Sequence, residues 1–174
     1  MFNFKKRYAK TADHARSGST KKFGNVKQSY DGISFDSKIE VSIYKEMKIM
    51  QSEGLFKDII AHPPAIEIYP STKHILSNGE AYLFRECRYY PDMLLVANDG
   101  TEFVIDIKSF ATLTADAILK FKMLYHVLGI YIIIITKESW KGESSVIEIL
   151  NGTYFSAMSK NKLISRAKKK EKEG

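Results

Sequence analysis

At 174 residues, with 44 % hydrophobic, 27 % charged and 12 % aromatic positions, the chain is long enough for one globular core and too short for two comfortable ones. Its formal charge of +7 and pI of about 9.3 point to an anionic partner, nucleic acid or a membrane surface, without choosing between them. A single cysteine, Cys87, excludes an internal disulfide framework and any multi-cysteine zinc site, and reads as a small packed side chain.

The chain opens on residues 1–28, eight cations and one anion amid Ser, Thr, Gly and Ala, a net +7 that is expected to form a flexible basic arm. Met1–Lys10 is not followed by an apolar stretch ending in small residues, so no secretory signal is read. From Phe35 to Gly54, Ile39, Ile43, Met47 and Met50 recur at three- and four-residue intervals, which predicts an amphipathic helix. Ser37-x-x-Glu40 is a capping box at its start and Gly54 a C′ residue at its end.

Leu55–Pro70 reads as extended chain interrupted by Pro63-Pro64, hence an edge or bent strand. Ser77–Glu80 is a turn, Arg85–Ala97 a β-rich run, Asn98-Asp99-Gly100 a hairpin loop and Thr101–Lys108 the returning strand. Thr114–Leu128 has helical spacing and is closed by Gly129; Tyr131–Ile135 reads as a strand buried on both faces. Val146–Leu150 is predicted as a weaker last strand. The longest apolar stretch, Met123–Thr136, is broken by His126 and Gly129 and is shorter than the about 20 residues that cross a bilayer.

Residues 159–174 form a basic tail of net +5, which leaves residues 29–158 as an acidic domain of net −5. The arms, with Lys21, Lys22, Lys168, Lys169 and Lys170, either hold a phosphate backbone by releasing counterions or simply keep the protein soluble. The order helix, three strands, helix, strand predicts an α/β (α+β) fold with a central mixed sheet flanked by helices, the helix between the last strands making a parallel crossover. A soluble cytoplasmic protein with no membrane association is expected.

Polar side chains interrupt this pattern at one place. If Asn98-Asp99-Gly100 is a three-residue loop, Ala97 pairs with Thr101, and counting outward sets Asp92 opposite Asp106 on one face; Lys108, two residues on, shares it. Two carboxylates so close repel unless a cation lies between them. Oxygen donors with no His or Cys cluster favour Mg²⁺ or Mn²⁺, an ion suited to phosphodiester hydrolysis. Lys108 would orient or deprotonate water, or neutralise the phosphate; the alternative is a plain cross-strand ion pair. Lys120 and Lys122 would contact the phosphate of the cut strand or belong to a solvated face. Tyr125 reads as core, His126 as a satisfied or exposed histidine, and His62 and His74 have no partners at metal-binding spacing. Tyr82, Phe84, Tyr89 and Tyr90 are read as packing residues, or else as base-stacking or dimer-interface residues.

Pro91-Asp92, a hairpin, then Asp106-Ile107-Lys108 resembles the signature of the PD-(D/E)XK nuclease superfamily, and the element order resembles its restriction-endonuclease-like core. The stretch from Lys22 to Glu40, including Asp31-Gly32-Ile33-Ser34-Phe35-Asp36-Ser37, is similar to the opening of a family of small phage proteins placed in that superfamily, some of whose relatives are regarded as Holliday-junction resolvases. The resemblance covers about residues 21–136 and leaves both arms outside. It implies a Mg²⁺- or Mn²⁺-dependent DNA endonuclease with Asp92, Asp106 and the Ile107 backbone carbonyl as metal ligands and Lys108 as catalytic lysine. Glu40 would join the site from the first helix, although it also fits the N3 position of the capping box. Asp106 stands where many members carry Glu. A branched substrate such as a Holliday junction follows from the resemblance alone, and implies a homodimer. The rival expectations are a nuclease acting on flaps or other replication intermediates, and a non-catalytic nucleic-acid-binding protein.

Overall fold

The computed structural model describes residues 27–109 and 111–156. Strands β1 (Gln28–Tyr30) and β2 (Ile33–Phe35) form a short hairpin through Asp31-Gly32, both at positive φ (54° and 73°), the conformation a two-residue hairpin loop requires. Helix α1 (Lys38–Ser52) follows, with Ser37 as N-cap. It ends where the sequence places its stop: Gly54 is left-handed (φ 82°), and the N–H groups of Gly54 and Leu55 donate to the carbonyls of Gln51 and Met50.

The central sheet has four strands in the order β10 (Ile132–Ile135), β9 (Glu102–Ile107), β8 (Met93–Val96), β3 (Asp58–Ala61). β9 runs antiparallel to β8 and parallel to β10, and β3 is antiparallel to β8, so the sheet is mixed. The parallel step is carried by α2 (Ala115–Leu128), capped by Thr114 and closed by left-handed Gly129. Side chains alternate across the sheet. Met93, Leu95, Ile105, Ile107, Ile133 and Ile135 pack with α1, while Leu94, Val96, Val104, Ile132 and Ile134 pack with Phe121 and Leu124 of α2. The four isoleucines of β10 are buried because both faces are covered.

Three predicted elements differ. The extended stretch Leu55–Pro70 becomes two strands in different sheets. β3 stops at Ala61, His62 adopts φ 47°, and after Pro63-Pro64 β4 (Ile66–Tyr69) pairs instead with β7 (Cys87–Tyr89). The run Arg85–Ala97 likewise breaks into β7 and β8 around Pro91, which has no N–H to give a ladder. The predicted strand Val146–Leu150 is a helix, α3 (Glu143–Leu150). As a strand it would have put Glu148 on one face with Val146 and Leu150, whereas the helix buries Val146 and Ile149 and leaves Glu148 exposed.

The turn at Ser77–Glu80 joins β5 (Thr72–Ile75) to β6 (Ala81–Phe84), a hairpin exposed along both strands. Tyr82 and Phe84 stand out from it, and Tyr90 and Tyr125 are also about half exposed, so the packing role expected of these four does not hold. Tyr89 is buried, as expected, and partly buried Cys87 packs near it. Among the described residues no helix is long and apolar enough to cross a membrane.

Candidate active site

The hairpin register decides the site. Gly100, left-handed at φ 86°, closes a three-residue loop in which Ala97 N–H donates to the Thr101 carbonyl (2.8 Å), and the ladder runs from Val96↔Glu102 to Met93↔Ile105. One further step sets Asp92 across from Asp106, and Asp92 N–H still donates to the Ile105 carbonyl at 3.2 Å. The apolar neighbours on that face are those expected, Leu94, Val96 and Val104.

At this end of the sheet Lys108 Nζ lies 2.7 Å from Asp106 Oδ2 and 3.8 Å from Asp92 Oδ2. The shorter contact is a close ion pair. Asp92 Oδ2 also accepts the Ile107 N–H at 2.7 Å, which fixes its rotamer. Because Ile105 turns its carbonyl to Asp92, the two-residue period turns the Ile107 carbonyl to the same side. Asp106 is almost wholly buried, 1 % exposed. Burial, then the charge of Asp92, pushes its carboxyl above the usual range, against the opposite pull of Lys108 and Tyr89. Burial disfavours the Lys108 ammonium, but Asp106 and Asp92 outweigh it and hold the lysine protonated.

Glu40 reaches this end from the N-terminus of α1. Its Oε1 accepts from Ser37 Oγ (2.8 Å) and its Oε2 from the Asp36 N–H (3.2 Å), while Ser37 Oγ accepts the Glu40 N–H (3.2 Å). The capping reading is therefore satisfied, and Glu40 also lies within electrostatic reach of Asp92 and Lys108. Burial and the Asp92 charge raise its pKa to about 7.

One member of the cluster escaped the sequence reading. The Tyr89 hydroxyl donates to Asp106 Oδ1, and its ring meets Phe121 edge to face with centroids 5.5 Å apart. Burial and the Asp106 charge hold the phenol proton, so this hydroxyl is a permanent donor. No periodicity reveals the contact, because β7 pairs outside the central sheet and only the bend at Pro91 brings Tyr89 beside β9.

Other predicted positions fall elsewhere. Lys120 pairs with Asp116 one turn back on α2 at 3.5 Å, and Lys122 and His126 are exposed on the same helix. Lys21, Lys22, Lys168, Lys169 and Lys170 lie outside the described residues. His62 Nε2 sits 2.9 Å from the Ser34 carbonyl, which only accepts, so that nitrogen carries the proton.

Among the described residues no three His, Cys, Asp or Glu side chains group closely enough to hold a metal ion by themselves. The donors that do converge, two carboxylates beside a backbone carbonyl, match the one or two protein carboxylates with which Mg²⁺ is commonly held, the rest of its shell being water and substrate phosphate. Residues 20–139, which contain all four of Glu40, Asp92, Asp106 and Lys108, match a family described as a protein of unknown function (DUF1064). The chain belongs to the DUF1064 family. No curated protein and no solved structure matches the chain. The DUF1064 region takes in α1, the whole central sheet and α2, and ends before α3.

Proposed function

We propose that this DUF1064 protein is a Mg²⁺- or Mn²⁺-dependent DNA endonuclease that hydrolyses phosphodiester bonds. The observation that carries the reading is the meeting of Asp92, Asp106 and Lys108 at one end of the β8–β9 hairpin, oppositely charged groups gathered where the hydrophobic pattern of both strands demands apolar ones. Asp92, Asp106 and the Ile107 carbonyl would hold the cation, with Glu40 at its margin. When bound, such an ion polarises a phosphoryl oxygen and makes a neighbouring water more acidic. Lys108, which the two aspartates hold protonated in the metal-free protein, would present a positive charge toward the phosphate. Tyr89 fixes one oxygen of Asp106 and leaves the other turned to Lys108.

Branched DNA of the Holliday-junction type is the substrate suggested by the likeness of the Lys22–Glu40 stretch to small phage proteins. A resolvase cuts two symmetry-related strands, so this substrate entails a homodimer, acting in the cytoplasm, that of the host cell if the protein is phage-encoded. Flaps and other replication intermediates are the alternative substrates.

A second reading is favoured by one observation: Lys108 already lies between the two aspartates and offsets one of their two negative charges without a metal, as a non-catalytic nucleic-acid-binding protein would require. The experiment incubates labelled four-way junction, flap and linear duplex with purified protein, with and without Mg²⁺ or Mn²⁺, beside Asp106→Ala. The expected result is metal-dependent cutting of the junction and a loss of about 100-fold or more in the variant. Equal cutting by the variant removes the site assignment, and no cutting by the parent with either metal leaves the binding reading.

A further inference from the structure

A cavity of about 530 Å³ opens between the C-terminal half of α2, the start of β10 and the segment after α3. Its walls include Phe121, Tyr125, Tyr131 and Phe155, with Lys122 and His126, and among the described residues no acidic side chain lines it. Tyr125 and Phe155 leave 56 % and 43 % of their surface to solvent, although their neighbours Phe121 and Leu124 are buried core. Such a volume suits a small ligand or one nucleotide of a longer chain. Aromatic rings beside an ammonium, with no opposing carboxylate, are what a nucleic-acid base and its phosphate need, since every base has a π-face to stack and every phosphate a charge to pair.

The cavity is also tied to the candidate active site. Phe121, in its wall, is the ring that packs against Tyr89, whose hydroxyl holds Asp106. Ile132, also in the wall, is aligned with Val104, two residues before Asp106 on the same sheet face, about 7 Å along the strand.

We propose that this cavity binds an unpaired nucleotide of a DNA strand, its base stacked on Tyr125 and bordered by the edge-to-face pair Tyr131 and Phe155, its phosphate held by Lys122. The inference deepens the nuclease reading, on which the choice of DNA rests. It assigns the protein a preference for DNA with single-stranded or unstacked character close to the cut.

The test uses the full chain in the presence of a chelator, so that binding is read apart from cleavage. Fluorescence anisotropy with a short single-stranded oligo(dT) should show Tyr125→Ala raising the Kd about tenfold, with Tyr125→Phe binding as the parent does. Lys122→Ala should lower the salt dependence by about one counterion. Ultraviolet crosslinking of the same oligonucleotide carrying 5-iodouracil should map to Tyr125, Tyr131 or Phe155. Unchanged affinity in Tyr125→Ala, an equal loss on fully paired duplex, or crosslinks confined to other positions would overturn the proposal. If these binding results hold but the parent cuts no DNA with either metal, the nuclease reading fails and the nucleotide site stands; cutting with Tyr125-independent binding gives the converse.

Discussion

Lys108 lies between two aspartates and balances one of their two charges, and Asp106 among them is nearly inaccessible to water. Burial, then the negative charge of Asp92, acts on Glu40, with two expected consequences. Its raised pKa means that the folded protein takes up a proton more readily than the unfolded chain. The stability this contributes is full below about 4.5 and lost as pH rises through about 7. Glu40→Gln keeps an N3 capping residue and removes the titration. In thermal melts of metal-free protein, the parent should lose stability relative to Glu40→Gln across that window; parallel curves would refute the assignment. For the same reason, the affinity for Mg²⁺ should rise with pH through about 7, because the cation competes with the proton for the carboxylates. Tyr89→Phe removes the donor to Asp106 and keeps the ring on Phe121. It should weaken metal affinity or turnover about 10- to 100-fold, as metal titration of the cleavage rate would report, and lower stability by about 1–3 kcal/mol by leaving a buried carboxylate oxygen without its donor.

At the scale of elements, α1 brings Glu40 to the site only if its first turn forms as it does. Ser37 closes that turn in both directions, accepting the Glu40 N–H and donating to the Glu40 carboxylate. Ser37→Ala should cost about 1 kcal/mol in denaturant unfolding, and should move the Glu40 pKa further upward, since the lost hydrogen bond lowers it. The β8–β9 hairpin has the matching role on the other side. Its three-residue loop sets the register, and a one-residue slip would send Asp106 to the opposite face and break the cluster.

Across the whole molecule, charge and chemistry fall in different places. Three carboxylates, Glu40, Asp92 and Asp106, gather at one end of the sheet, while residues 1–28 and 159–174 carry net charges of +7 and +5. If the arms hold DNA and the domain cuts it, removing residues 1–20 and 159–174 should weaken binding and flatten its salt dependence while sparing the single-turnover cleavage rate at saturation. A rate that falls as steeply as the affinity would refute that division.

The sequence by itself determined what depends on neighbours along the chain. The caps and period of α1 and α2, the buried isoleucine strand, and the hairpin that opposes Asp92 to Asp106 beside Lys108 all rest on local spacing. The tertiary structure decided what depends on partners distant in sequence. Val146–Ile149 became helical because the face it covers lies on α1 and the sheet; Leu55–Pro70 divided because β4 found β7; and Tyr89 reached Asp106 because the chain bends at Pro91. Strand propensity and side-chain period say which residues can be buried, but the elements that bury them are fixed only when the layers pack.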